Sequence, residues 1–183
     1  MSKTYSKTAA ITKTALIAAL YVVLTLVFAP IAFSTVQFRV SEILTVLPVF
    51  TGLAVPGLSI GCCLANLLGV LLGTNPTGLI DAVFGTLATL LAAICTYYVG
   101  KLPAKLPKYL LAPLFPVLFN AVIVGMELTF VFGGEGSFWE IFLFQGISVG
   151  IGEAVVCYVG GCLLMGALYA KNVYKRIFAV DRM

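Results

Sequence analysis

The chain has 183 residues, of which 61% are hydrophobic and only 10% charged, and its mean hydropathy is +1.12. Soluble domains carry about 25% charged residues, and a soluble chain of this size cannot hide so much apolar surface in one core. The net charge is +4, and there is no histidine. That excludes His-based triads, most zinc catalysis and His proton relays.

Six spans follow in chain order. The first is 12–29, "TKTALIAALYVVLTLVFA", stopped by Pro30. It is longer than a signal-peptide core, and no small-residue cleavage site precedes more polar sequence. The second is 42–55, ended by Pro56-Gly57, and the third is 57–73, ended by the turn chemistry of "GTNPTG". The fourth is 79–99, and "GKLPAKLPK" at 100–108 reads as a basic, proline-broken loop. The fifth is 109–132, closed by "GGEGS". The last apolar stretch, 138–170, would reach ~50 Å as one helix, so it is strongly tilted or broken near its start. The expected fold is an all-α integral membrane protein: one domain, 1–183, forming a six-helix transmembrane bundle. No internal repeat is visible, which weighs against a carrier built from inverted halves.

Charge orients this bundle. Lys3, Lys7 and Lys13 precede the first span; Lys101, Lys105 and Lys108 follow the fourth; Lys171, Lys175, Arg176 and Arg182 follow the last. Six spans put all of them on one side, so both termini are expected to be cytoplasmic. Arg39 alone falls on the other side, inside "VQFRVSEILTVLP", between two runs without any charge. It reads as a headgroup-level anchor, a partner for Glu42, or a polar gate over an external-facing pocket.

Charged groups within membrane spans are costly and usually face a cavity or a partner. Glu42 begins the second span, Asn66 lies near the middle of the third, and Asp81 opens the fourth. Asn120 and Glu127 are seven residues apart, on one face of the fifth. Gln145 and Glu153 lie on the sixth, about 80° apart around the helix. Together with Arg39 these residues form the candidate substrate-binding set. Four carboxylates against one arginine suit a cation or a ligand rich in N–H donors; a proton or sodium pathway is the competing reading. For each carboxylate, helix capping or interhelical hydrogen bonding is the structural alternative. Glu135 and Glu140 flank an external loop and read as solvated.

Cys62, Cys63, Cys95, Cys157 and Cys162 lie in apolar spans without metal-ligand spacing. No phosphate-binding G-x-x-x-x-G-K-[ST] loop is present, so energy for uphill transport must come from a partner or a gradient. Small residues recur four apart at Gly57/Gly61, Gly69/Gly73, Gly146/Gly150, Thr14/Ala18 and Ala15/Ala19, a spacing that permits close helix contact.

"VQFRVSEILTVLP", "PGLSIGCCLANLLG", "GLIDAVFGTLATLLAA", "FNAVIVGMELTFVFG" and "GEAVVCYVGG" are together similar to the QueT family. The likeness runs from about residue 12 to 170. Members of that family are substrate-binding (S) components of energy-coupling factor (ECF) transporters, assigned to queuosine precursors with 7-aminomethyl-7-deazaguanine the presumed substrate. The resemblance implies a lid loop after the first helix and a first helix whose small-residue face, here Ala15 and Ala19, docks on a transmembrane coupling subunit driven by two cytoplasmic ATPases. A carboxylate pair, Glu127 and Glu153, would meet the ammonium and the guanine edge, with Asn120 and Gln145 alongside. Phe38 or Phe84 would stack on the ring, and Arg39 and Glu42 would latch the lid. The expected partners are therefore this base, the coupling module and the bilayer. No nucleic acid, cofactor or metal is expected, and no enzymatic activity. An S component for another cationic or purine-like nutrient and a stand-alone proton-coupled carrier remain the alternatives.

Overall fold

The computed structural model describes residues 7–34 and 36–178; Lys3 and Arg182 lie outside the described residues. All regular structure among them is helical. The long helices are α1 (Lys7–Val27), α3 (Ala54–Leu71), α4 (Leu79–Gly100), α5 (Lys105–Phe119) running into α6 (Gly125–Phe132), and α7 (Phe138–Ala154) running into α8 (Cys162–Tyr169). The short α2 (Ala29–Ala32) follows α1, and α9 (Val173–Ile177) closes the described chain. Five of these stretches are long and apolar enough to cross a membrane: Lys7–Val27, Ala54–Leu71, Leu79–Gly100, Lys105–Phe132 and Phe138–Ile177. Their outward faces carry residues such as Ile11, Leu71, Val83, Leu118 and Leu163, all exposed. The protein is a multi-pass membrane bundle.

The expected second span, 42–55, does not form a full-length helix. Its place is taken by a 3-10 helix, Val40–Val49, followed by a short turn, and Pro56 sits in the first turn of α3 rather than ending anything. Proline is tolerated there because the first-turn N–H groups have no intrahelical partner. The 3-10 geometry has a physical reason. Arg39 meets Asp81 near the start of α4, and Val49 meets Gly100 at its end. In α4 that interval rises ~28 Å. Ten residues climb ~20 Å as a 3-10 helix but only ~15 Å as an α-helix, so the tighter winding better matches the distance. Ser41, Glu42, Leu44, Thr45, Val46, Leu47 and Pro48 are all buried, so this segment is the axis of the bundle rather than a lipid-facing element.

Register fixes direction. Gly57 lies against Thr14 and Ile17, Gly61 against Ala18 and Tyr21, and Gly69 against Phe33, so α1 and α3 run parallel. The segment between them therefore returns along the axis. Gly125 and Gly146 touch at the crossing of α6 and α7, and Gly152 brings α7 against the Gln37 carbonyl. Small residues are required at these crossings because backbones approach where a Cβ would sit.

Other boundaries shift for similar reasons. α5 starts at Lys105, with Pro107 in its first turn, so the basic loop is shorter than 100–108. Pro113 and Pro116 lie inside α5 and remove the hydrogen bonds that would engage Tyr109 and Ala112 carbonyls. Those carbonyls are met from neighbouring helices: Cys162 Sγ donates to Tyr109 O at 3.6 Å, and Thr96 Oγ1 to Ala112 O at 3.3 Å. Internal satisfaction of this kind is what lets prolines persist in membrane helices. The last stretch is not broken near its start. It runs helically from 138 to 169 through a π-helical turn at Val155–Gly161 and breaks at Lys171 and Asn172, both at positive φ. Its start is a capping box, with Glu140 Oε2 accepting from Ser137 N at 2.8 Å, which gives Glu140 a structural role.

A bulky residue at Gly61 should separate α1 from α3. An added Cβ would lie 2.8 Å from Tyr21 Cβ and 3.0 Å from the Ala18 carbonyl oxygen. Gly61→Leu is expected to cost about 1–3 kcal/mol or more, read as a lowered melting temperature in detergent. Gly166→Ala, whose nearest neighbour is Tyr109 Oη at 3.7 Å, is expected to change it little.

Candidate functional site

The polar groups singled out in the sequence are almost all buried, and they assemble in two tiers around the 3-10 axis. The first tier centres on Asp81, in the first turn of α4. Arg39 Nη2 lies 3.2 Å from Asp81 Oδ2, and both side chains are about 1–2% exposed. Asn75 Nδ2 donates to the same Oδ2 at 3.0 Å, and Asn66 Nδ2 donates to the Asp81 backbone carbonyl at 2.8 Å. The Arg39 guanidinium also stands 5.6 Å from the centroid of the Phe33 ring. Gly85 makes room for this cluster, since a Cβ there would press on Asp81 Oδ1, Asn66 Nδ2 and Arg39 Nη1.

Arg39 is thus neither a headgroup anchor nor the partner of Glu42. Glu42 faces the second tier. Its Oε1 accepts from the Tyr21 hydroxyl and from Thr89 Oγ1, the latter at 3.2 Å. Beside it, Thr25 Oγ1 donates to Ser41 Oγ at 2.7 Å. Glu153 is buried on the same level, accepting from Cys157 Sγ at 3.5 Å. Cys62 lies between the tiers, 3.9 Å from Arg39 Nη1 and 3.7 Å from Asn66 Nδ2. The reason for the split is helical geometry: Arg39 precedes the 3-10 helix, and Glu42 is already turned toward α1 and α4.

Above the first tier lies a cavity of about 300 Å³. Phe33, Ser34 and Gln37 line it from the loop after α2; Asn75, Pro76 and Thr77 line it from the loop before α4; Leu128, Phe132 and Gln145 complete it. Asp81 therefore holds both covering loops, Arg39 from one and Asn75 from the other. Thr77 is tied to Asn75 through its backbone N–H and hydroxyl, at 3.1 and 2.6 Å from Asn75 Oδ1. Glu127, adjacent to Leu128, is buried, and both its carboxylate oxygens lack a hydrogen-bond partner. Glu42 Oε2, Asp81 Oδ1, Asn66 Oδ1 and Arg39 Nε are likewise unpartnered.

Of the expected site residues, Gln145 lines the cavity, and Glu127 stands next to a lining residue. Arg39, Asp81 and Asn66 form its support, and Glu42 and Glu153 lie a tier deeper. Asn120 is apart, donating to Pro116 O at 3.0 Å within its own helix. Phe84 points outward, exposed, and the cavity's aromatic walls are Phe33 and Phe132. Sequence reading missed Ser34, Gln37, Asn75 and Thr77. "GTNPTG" was legible as a turn, but its polar residues gave no sign that the turn folds inward. Tyr21 and Thr25, four apart in the otherwise apolar stretch of α1 after Thr14, were an available signal for the second tier.

Removing one member of the buried ion pair should be costly. Asp81→Asn leaves Arg39 uncompensated and is expected to lower stability by about 3–5 kcal/mol, whereas Glu42→Gln, whose partners are hydroxyls, should cost less. Arg39→Met combined with Asp81→Asn should recover part of the loss. Thermal unfolding of the three variants in one detergent checks the pairing; equal losses for Glu42→Gln and Asp81→Asn would refute it.

Comparison with known proteins agrees with this architecture. The QueT transporter family matches residues 11–170, and no curated protein or solved structure matches. A non-catalytic transport role fits a bundle whose interior polar groups cover a small cavity, and among the described residues no group of His, Cys, Asp or Glu is arranged to hold a metal. With nearly its whole length matched, the chain belongs to the QueT transporter family.

Proposed function

We propose that the chain is the substrate-binding subunit of an ATP-driven ECF importer, and that the cavity under the two loops receives a queuosine precursor, 7-aminomethyl-7-deazaguanine or a close relative. The observation that carries this is Glu127: a buried carboxylate with two unpartnered oxygens beside a cavity of about 300 Å³. Leaving such a group unsatisfied is expensive, and a ligand that donates N–H bonds removes the cost. The volume is at the small end for ligand sites, which suits a single bicyclic base better than a nucleotide. Phe33 and Phe132 offer apolar faces for the ring. Gln37, Asn75, Thr77 and Gln145 offer donors and acceptors for its edges.

In this reading the 3-10 helix with its flanking extended residues is a sixth crossing, and both termini lie on the cytoplasmic side with the lysines. Lys101, Lys105, Tyr169 and Tyr174 gather at that end, Lys105 Nζ lying 5.0 Å from the Tyr169 centroid. Ala15 and Ala19 are exposed on α1, while Thr14 and Ala18 face α3. The exposed pair leaves a smooth strip on which the transmembrane coupling subunit, driven by two cytoplasmic ATPases, would pack. One observation favours a second reading, a proton-coupled carrier: Glu42 and Glu153 share the deeper tier without a cation of their own. Uptake into vesicles driven by a proton gradient without ATP would select it.

Calorimetry on purified protein is expected to show the deazaguanine amine binding at least about tenfold more tightly than guanine, since a charge-assisted buried hydrogen bond contributes about 1.5–3 kcal/mol. Glu127→Gln should remove most of that preference. Equal affinity for both ligands would rule the ammonium out of recognition. Independently, Ala15→Trp/Ala19→Trp should depress ATP-driven uptake in reconstituted vesicles and leave binding intact; uptake at the normal rate would dismiss the docking strip.

A further inference from the structure

Rings gather where α6 turns into α7. Phe130 and Phe138 stand 5.5 Å apart between centroids, Phe138 and Trp139 5.4 Å, and Trp139 and Phe142 6.1 Å. The last two pairs meet edge to face, at 81° and 77°, an arrangement that stabilises ring pairs beyond their area burial. Yet the cluster lies outside the core: Phe130 is 74% exposed and Trp139 65%. The surroundings are ordered along the helix. Trp139, Leu143, Ile147 and Ile151 recur four apart, so they form one strip, and all are exposed. After Trp139 the strip is aliphatic, and it continues the outward face of a stretch that is long and apolar enough to cross a membrane. On the other side of the rings is a polar turn, residues 133–137, exposed throughout, with Glu135 in it and Glu140 capping α7. The order along this surface is therefore aliphatic, aromatic, polar.

We propose that this ring cluster is an interfacial anchor that seats the cavity end of the bundle at the headgroup layer of the bilayer. An indole has an apolar body and one N–H donor, and the boundary between hydrocarbon and headgroups suits both. Deeper in the bilayer, the backbone of the 133–137 turn and the carboxylates of Glu135 and Glu140 would lie where nothing solvates them. Fully in water, the rings would form an exposed apolar patch with nothing to cover it. A protein partner could cover the rings as well, but their strip runs on without interruption into the lipid-facing surface, which favours the bilayer. The anchor sets the depth of the covered cavity. Phe132 lines that cavity two residues past Phe130, and Gln145 lines it ~9 Å along α7 from Trp139. The cavity then lies at the boundary of hydrocarbon and headgroups. This inference rests on the membrane architecture alone and is independent of which ligand the cavity takes.

Trp139 is the only tryptophan of the chain, so its fluorescence reports on this position alone. The test uses the full chain in phosphatidylcholine vesicles whose lipids carry bromine, a contact quencher, either close to the headgroup or close to the end of the acyl chain. Trp139 is expected to lose more emission to the shallow label than to the deep one. Trp139→Phe/Ile147→Trp moves the reporter ~12 Å along the same exposed strip, and the preference between the labels should reverse. Stronger loss from Trp139 to the deep label, or equal loss to both, overturns the interfacial position. Loss of Trp139 emission to iodide in the buffer, with neither lipid label effective, overturns the anchor and makes the cluster a water-facing surface open to a protein partner.

Discussion

Moving a guanidinium and a carboxylate from water into an apolar bundle costs several kcal/mol for each, and the cost is recovered only where the two touch and their remaining valences are met. The contact between Arg39 and Asp81 meets that condition, with Asn75 on the same carboxylate oxygen and Asn66 on the adjacent backbone. Much of the arrangement depends on it. Arg39 is the residue immediately before the 3-10 helix, so its position sets where that helix begins. Asn75 belongs to the loop that opens α4, so the same carboxylate determines how that loop folds. The two loops close one cavity because they share one anion.

From Arg39 onward the chain has few residues in which to return past α4. A 3-10 helix rises faster than an α-helix, and that gain comes at a cost in hydrogen-bond geometry. Burial on all sides makes the exchange worthwhile, because Leu44, Val46 and Leu47 fill the centre of the bundle. Helices that pack around so slender an axis must come close to one another and to it. The glycines at 57, 61, 125, 146 and 152 stand where backbones or Cβ atoms meet. The prolines of α5 work by the same logic, their freed carbonyls being engaged by Thr96 and Cys162.

Satisfaction is not complete, and the function proposed above rests on the remainder. Donors cover Glu42 Oε1 and Asp81 Oδ2, while their second oxygens, and both oxygens of Glu127, have none. Buried polar groups are ordinarily paired. A transport protein must bind and then release, so an interior that saturated every valence by itself would leave a ligand nothing to gain. The two ends of the molecule differ in sign. The buried carboxylates lie in the interior and toward the covered cavity, while lysines and tyrosines gather at the other end.

How much of this was legible beforehand depended on the range of the interaction. Apolar length, proline and glycine punctuation and the lysine clusters are local properties. They sufficed to determine the membrane class, the helices starting at 79 and 138 and the close approach of small residues; the family came from the likeness of five separated stretches of sequence. The helical condition of residues 42–55 was not determined locally. An apolar run reads the same whether it faces lipid or lies at the centre of a bundle, and only its neighbours α1, α3, α4, α5 and α8 made it an axis. Pro56 and Pro107 likewise look like breaks until the helix around each is seen to start two residues earlier. The partner of Arg39 was decided at long range as well: Glu42 is three residues away and Asp81 forty-two, and sequence spacing favours the wrong one. Asn75 and Thr77 became part of the cavity because their loop folds inward onto that same carboxylate. The inventory of polar residues was thus written in the sequence, but their pairing was left to tertiary structure, because a buried charge is stabilised by the counter-charge nearest in space, whatever its distance along the chain.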